Sequence, residues 1–299
     1  MYISLRPGRS TVLAVVACII LASLLAVMPL SLPGAAETEY VSVPIIMYHQ
    51  ISENRRLWGR YVIPAETLRG DFEHIKKLGY TTVTVSDIIN HVNGIADLPE
   101  KPIVLSFDDG QRSMLTKVLP LLEEFGFCAV MSVVGSLCDM YTKNGDTSDS
   151  YAYLNLRDLK VLADSGRVEL GNHTYNLHSL SKRKGIEKLK SESDEEYSAM
   201  LKEDILKNNQ LIFDAAGKRP QVVAYPYGVH SDLAEQVLHE IGVTATLSCA
   251  QRVNRITKSS DCLYDLGRFN RPYGKSSDTF FELFKAPAAS LPPSRFARQ

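Results

Sequence analysis

The sequence predicts an α/β fold of parallel strands with outer helices, an irregular (β/α) barrel ahead of an open doubly wound sheet. Three observations lead there. Short apolar runs alternate with longer segments of helical character, the pattern of repeated strand–helix units. About seven or eight such strands can be read, and the 299-residue length is near the ~250 residues usual for these barrels. After Glu37 no Gly/Ser linker or fixed-period repeat interrupts the pattern, so residues 37–285 read as one domain.

The first 36 residues differ in kind. Arg6 and Arg9 precede "TVLAVVACIILASLLAVMPLSLPGAA", which is almost wholly apolar and carries no charge, so residues 1–36 read as a signal peptide or an N-terminal membrane anchor. Residues 11–32 are nearly long enough to span a bilayer, whereas Pro29 and Pro33 break the helix and Ala35 and Ala36 offer small residues for cleavage. Either way the two arginines keep the amino terminus in the cytoplasm, and the remainder is expected outside it, secreted or anchored.

The elements then follow in order. "VPIIMY" is a strand, an unbroken apolar run; "AETLRGDFEHIKKLG" has the apolar spacing of a helix; "TTVTV" is β-branched and "DIINHVNGI" helical. "PIVLSF" and "CAVMSVV" are apolar throughout, as strands covered on both faces must be, with the helix "SMLTKVLPLLEEFG" between them. The helix "LRDLKVLADSG", the strand "RVELGN", a long charged helix over 195–216, the strand "QVVAY", the helix "DLAEQVLHEIG" and the strand "VTATLS" complete the alternation. Residues 286–299 read as a flexible tail.

A 45% hydrophobic, 22% charged chain of net charge -1 is ordinary for a globular protein and gives no electrostatic case for nucleic acid. Of five cysteines, Cys128, Cys138, Cys249 and Cys262 lie beyond the apolar segment, too sparse for a disulfide-built scaffold. Cys128 sits in an apolar run and is expected as a packed thiol.

Three polar clusters fall where strands end, the place where (β/α) folds carry their chemistry. They are Asp108-Asp109-Gly110 in "SFDDG", His173 and His178 in "GNHTYNLH", and Tyr225-Pro226-Tyr227-Gly228 in "AYPYG". Asp-Asp-Gly favours a turn on conformational grounds alone, but two adjacent carboxylates after a buried strand repel unless a cation or shared proton relieves them. The two histidines either cap turns or ligate a metal. Two imidazoles and one aspartate make a three-ligand site with an open position for water, suited to Zn²⁺ or another first-row metal, and leave the second aspartate as a general base. The same ligand set suits an iron oxygenase; the second aspartate and the barrel pattern argue against it.

In this order and at these strand ends, "SFDDG", "HTYNLH" and "YPYG" resemble the motifs of the polysaccharide deacetylases, the NodB-homology or carbohydrate esterase family 4 group. The extra residue between the histidines and the early "VPIIMYH" are similar to the poly-N-acetylglucosamine deacetylase branch; the resemblance covers residues 43–281. It implies a NodB-type barrel that removes N-acetyl groups from an N-acetylated glycan, an exopolysaccharide ahead of peptidoglycan, and releases acetate. It further implies Asp108 as general base and Asp109, His173 and His178 as ligands of a divalent metal, Zn²⁺ first and Co²⁺, Ni²⁺ or Fe²⁺ as alternatives. The Tyr227 N–H would hold the oxyanion, and Pro226 and Tyr227 would line the sugar groove.

The chain also departs from the family. Many members have an arginine where this chain has Ala224; Arg268, in "LGRFNRP", is the candidate to orient the base, with a packing role as its alternative. No histidine follows His239, and neither it nor His230 matches the late motif that supplies a general acid. These gaps leave a catalytically weak glycan-binding relative as the alternative function. His49, which ends the first strand of the barrel, is expected in a core or supporting hydrogen bond.

Overall fold

The computed structural model describes residues 39–285 and residue 8, and the architecture below is that of the unit beginning at Tyr40. The expected signal or anchor segment and the tail 286–299 lie outside the described residues. Among the described residues no helix is long and apolar enough to cross a membrane.

The strands are β1 (Val41–Val43), β2 (Ile45–Tyr48), β3 (Gln50–Ile51), β4 (Val62–Ile63), β5 (Thr81–Thr82), β6 (Pro102–Phe107), β7 (Ala129–Val133), β8 (Val168–Asn172), β9 (Val222–Ala224), β10 (Ala245–Leu247), β11 (Asn254–Ile256) and β12 (Phe269–Asn270). Eight of them form one sheet in the order β10-β9-β8-β7-β6-β2-β12, with β5 beside β6. Every pairing in it is parallel. The segment after β11 serves both edges: Leu266 bridges Leu247 on one side, and Phe269 and Asn270 pair with Ile46 and Met47 on the other. That segment closes the irregular barrel of parallel strands with outer helices that the sequence predicts.

Strand alternation sorts the core. Val104 of β6 packs inside with Val130, Val222, Ala245 and Leu247, while its neighbours Leu105 and Phe107 pack outward against helix residues Leu68, Phe72 and Leu122. Ser106 and Asp108 continue the inward set of Val104 by twos, which fixes the carboxylate of Asp108 over the barrel interior.

Helix starts are written in the sequence. Thr84 with Asp87, Asn155 with Asp158 and Ser193 with Glu196 each form a reciprocal capping box that satisfies orphan backbone N–H groups. The last of these opens the long helix Asp194–Ala216, which supports the histidine loop described below.

Candidate active site

The motif residues extend the strand ladders by one step. The Asp108 N–H donates to Tyr48 O, the His173 N–H to Val133 O and the Tyr225 N–H to Leu247 O, so all three clusters emerge together at the C-terminal ends of the strands. The chain then turns sharply at each. Asp109 (φ 73°), Thr174 (φ 70°) and Tyr227 (φ 60°) are left-handed non-glycine residues, a conformation that concentrates at functional sites because it is costly elsewhere. Gly228 is required for two reasons: its φ is 69°, and a Cβ there would stand 2.7 Å from the Cβ of Cys249.

These turns bring Asp109, His173 and His178 together. An Asp109 carboxylate oxygen lies 3.6 Å from His173 Nε2 and 3.2 Å from His178 Nε2, and one donor atom from each residue falls within 4.8 Å of the others. Donors about 2.0–2.2 Å from a tetrahedral metal stand roughly 3.3–3.6 Å apart, so the trio matches such an ion. The orientation is also suitable. His173 Nδ1 lies 2.8 Å from Ala224 O, which holds it as the protonated nitrogen and leaves Nε2 free to ligate. His178 Nδ1 is 3.3 Å from the Tyr227 hydroxyl, and the two rings pack tilted at 34° with centroids 4.7 Å apart.

Electrostatics agree with that geometry. Burial pushes His173 below its ordinary value and favours the neutral imidazole that a metal ligand must be. For His178 burial acts the same way, but the hydrogen bond and negative charge of Asp109 outweigh it and raise the value. Burial pushes Asp109 upward, and the three nearby histidines outweigh it and lower it.

Asp108 sits beside this trio with a different partner. Arg268 Nη1 donates to Asp108 Oδ1 at 2.7 Å and to Ser106 Oγ at 3.3 Å, and Arg268 Nε donates to Ser248 O at 2.9 Å. Both are essentially closed to solvent, at 2% and 0% exposure. Burial alone would raise Asp108, but the adjacent guanidinium holds it well below the usual carboxylate range, so it is ionised and ready to accept a proton. Arg268 therefore reaches Asp108 from the segment immediately before β12 rather than from position 224.

An open cavity of about 440 Å³ covers the centre, lined by Asp108, Asp109, His173, His178 and Tyr227. Pro226 does not line it: Pro226 is buried, its carbonyl close enough to Gly185 that a Cβ there would clash at 2.6 Å. His49 does line the cavity, with a buried Nδ1 that lacks a hydrogen-bond partner, and its ring packs on Tyr61 at 4.7 Å. This is a site position rather than a core one. Burial pushes His49 below its ordinary value despite the two aspartates. The signal for it is present in "IMYHQI", since a histidine at the end of an apolar strand shares the face where strands end.

The histidine loop is held from beneath by the helix Asp194–Ala216. Asp204 accepts the N–H groups of Tyr175 and Asn176 at 2.7 and 2.8 Å. Asn208 Nδ2 donates to Val133 O, Asn172 Oδ1 and Thr174 O at 2.8 to 3.0 Å. Replacing Asn208 with leucine is expected to cost about 1–3 kcal/mol of stability through unsatisfied acceptors and to weaken metal binding roughly 10–100-fold. Urea melts and a metal-competition titration check both; unaltered metal affinity would make the network structural only.

Comparison with known proteins agrees with the fold. A family model described as polysaccharide deacetylase matches residues 96–246, just over half of the chain. The chain belongs to that family. A poly-beta-1,6-N-acetyl-D-glucosamine N-deacetylase of Escherichia coli K12 is 27% identical over 216 residues, covering 66% of this chain and 32% of the relative, so the chain spans about a third of that protein's length. A de-N-acetylase from Aggregatibacter actinomycetemcomitans superposes with a TM-score of 0.69 at 25% identity, covering 81% of this chain and 100% of that one. The BpsB deacetylase domain of Bordetella bronchiseptica gives 0.61 at 25% identity, covering 76% and 95%. The family match includes Asp108, Asp109, His173, His178 and Tyr227 and excludes His49 and Arg268.

Proposed function

We propose that this chain is a metal-dependent hydrolase that removes N-acetyl groups from an N-acetylglucosamine-containing cell-surface polysaccharide, an exopolysaccharide ahead of peptidoglycan. The observation that carries the reading is the pairing of an ionised, arginine-held Asp108 with the metal-ligand trio in one cavity. The 27% identity to a poly-N-acetylglucosamine deacetylase supports the substrate class. The apolar, uncharged segment 11–32 supports an extracytoplasmic site of action, with membrane contact through that segment alone.

Asp109, His173 and His178 would hold the metal, Zn²⁺ first, with Co²⁺, Ni²⁺ or Fe²⁺ suited to the same donors. When bound it supplies Lewis acidity to the acetamide carbonyl and lowers the pKa of water. The remaining steps belong to the protein. Asp108 accepts a proton as a water oxygen bonds to the acetamide carbon, and the Tyr227 N–H donates to the oxyanion that forms. The C–N bond then breaks as the nitrogen takes up the proton that Asp108 accepted, with His49 in the cavity wall as the group that relays it, leaving acetate and a free amine.

The test is acetate release from N-acetylglucosamine oligomers by the full chain before chelation, after chelation, and after addition of Zn²⁺ or Co²⁺. Release that disappears on chelation and returns with metal is expected; release indifferent to chelation would remove the metal from the mechanism. His49→Gln is expected to lower kcat about 100-fold with metal content unchanged, and a loss below threefold would assign the leaving-group proton to another donor.

A further inference from the structure

Two cations line the cavity that holds the catalytic groups, Arg60 from the loop before β4 and Lys184 from the loop after β8. Both are exposed, and among the described residues neither is ion-paired with a carboxylate. The Arg60 guanidinium lies over the Tyr61 ring at 5.1 Å, and Tyr61 in turn packs on His49, so this charge is held at the wall of the groove. Among the described residues, the only acidic ones lining the same cavity are Asp108 and Asp109. Arg268 offsets the first, and the histidines, or an ion among them, offset the second. The groove around the centre therefore presents net positive charge to the sugars on either side of the reacting one.

Given the deacetylase reading, that sign matters, because the reaction turns a neutral N-acetylated unit into one whose amine becomes cationic on protonation. We infer that Arg60 and Lys184 act as a charge filter: the groove accepts glycan whose neighbouring units are N-acetylated or acidic and turns away units already bearing free amines. The product would thus carry separated amines rather than contiguous runs. Exposed charges at such spacings interact modestly and are screened by salt, so the effect is a several-fold preference that depends on ionic strength.

The experiment compares two β-1,6-linked N-acetylglucosamine pentamers, one fully acetylated and one with a free amine beside the central unit. Their Kd for the full-length Asp108→Asn chain is measured by calorimetry at low and at high salt. A roughly five- to twentyfold weaker Kd for the amine-bearing pentamer is expected at low salt, narrowing to about twofold at high salt. Adding Arg60→Gln and Lys184→Gln together should bring the low-salt ratio to about twofold or less. Equal binding of the two pentamers at low salt, no binding of either, or a ratio that survives the double substitution would each overturn the filter. Acetate release by the wild-type chain, followed in parallel, separates the two ideas: preference without release sinks the deacetylase reading and keeps the filter, and release without preference does the reverse.

Discussion

Replacing Asp108 with asparagine is expected to lower kcat/KM for acetate release by about 10³–10⁴-fold while metal content stays close to wild type. Asparagine keeps the size of aspartate and an oxygen for the Arg268 hydrogen bond, but cannot take a proton from water. Because Asp108 pairs with Arg268 and Asp109 with the histidines, the substitution removes the base and leaves the ligand trio in place. Metal analysis beside single-turnover kinetics checks this. A loss under tenfold with metal retained would take Asp108 out of the chemical step, and loss of metal would show that it serves ligation instead.

Replacing Arg268 with methionine acts on stability and on pH dependence together. Arg268 has 0% exposure, and its removal leaves Asp108 as an unpaired buried carboxylate, a situation that costs about 3–5 kcal/mol. The sign follows from linkage. A folded-state pKa held below the unfolded value contributes stability above the unfolded carboxylate value and loses it as pH falls through the folded one. Without the guanidinium, burial, which raises Asp108, is opposed only by His173 and His49, so Asp108 rises and that contribution shrinks. The acid limb of the kcat/KM profile should therefore move to higher pH. Urea melts and a pH–rate profile are the measurements. Lower stability with an unmoved acid limb would make Arg268 a packing residue that does not tune the base, and Arg268→Lys, which keeps charge but not the fork, should fall between the two.

What is legible in the sequence follows from how each feature is encoded. β6 and β7 are legible because strands buried on both faces are apolar along their whole length. Asp108, Asp109, His173 and His178 are legible because each closely follows such a strand, where a charged or imidazole side chain reaches the open end of the barrel. The pairs β1–β11 and β3–β4 and strand β12 are not, since two or three residues carry no period. The helix Gly135–Asn144 begins on glycine without a side-chain cap, and the usual start signal is missing. Arg268 is tied to the centre in the sequence only through the resemblance, and His49 only as a supporting residue, because their proximity to it is a property of barrel closure rather than of neighbouring residues. Pro226 is expected at the groove from its motif, and the backbone turn at Tyr227 buries it instead.

The closing segment also sets an order of events during synthesis. Asp108 and Arg268 are 160 positions apart, and Arg268 emerges after every metal donor and after the "YPYG" turn. A chain that has grown only to residue 265 holds Asp109, His173, His178 and the Tyr227 turn, yet it lacks the segment that closes the barrel, and the Asp108 carboxylate lacks its guanidinium partner. Burial would then favour the protonated acid, which cannot serve as a base. On the proposed mechanism, hydrolytic competence would thus wait for Arg268, and a product stopped short of that residue is expected to turn over no glycan.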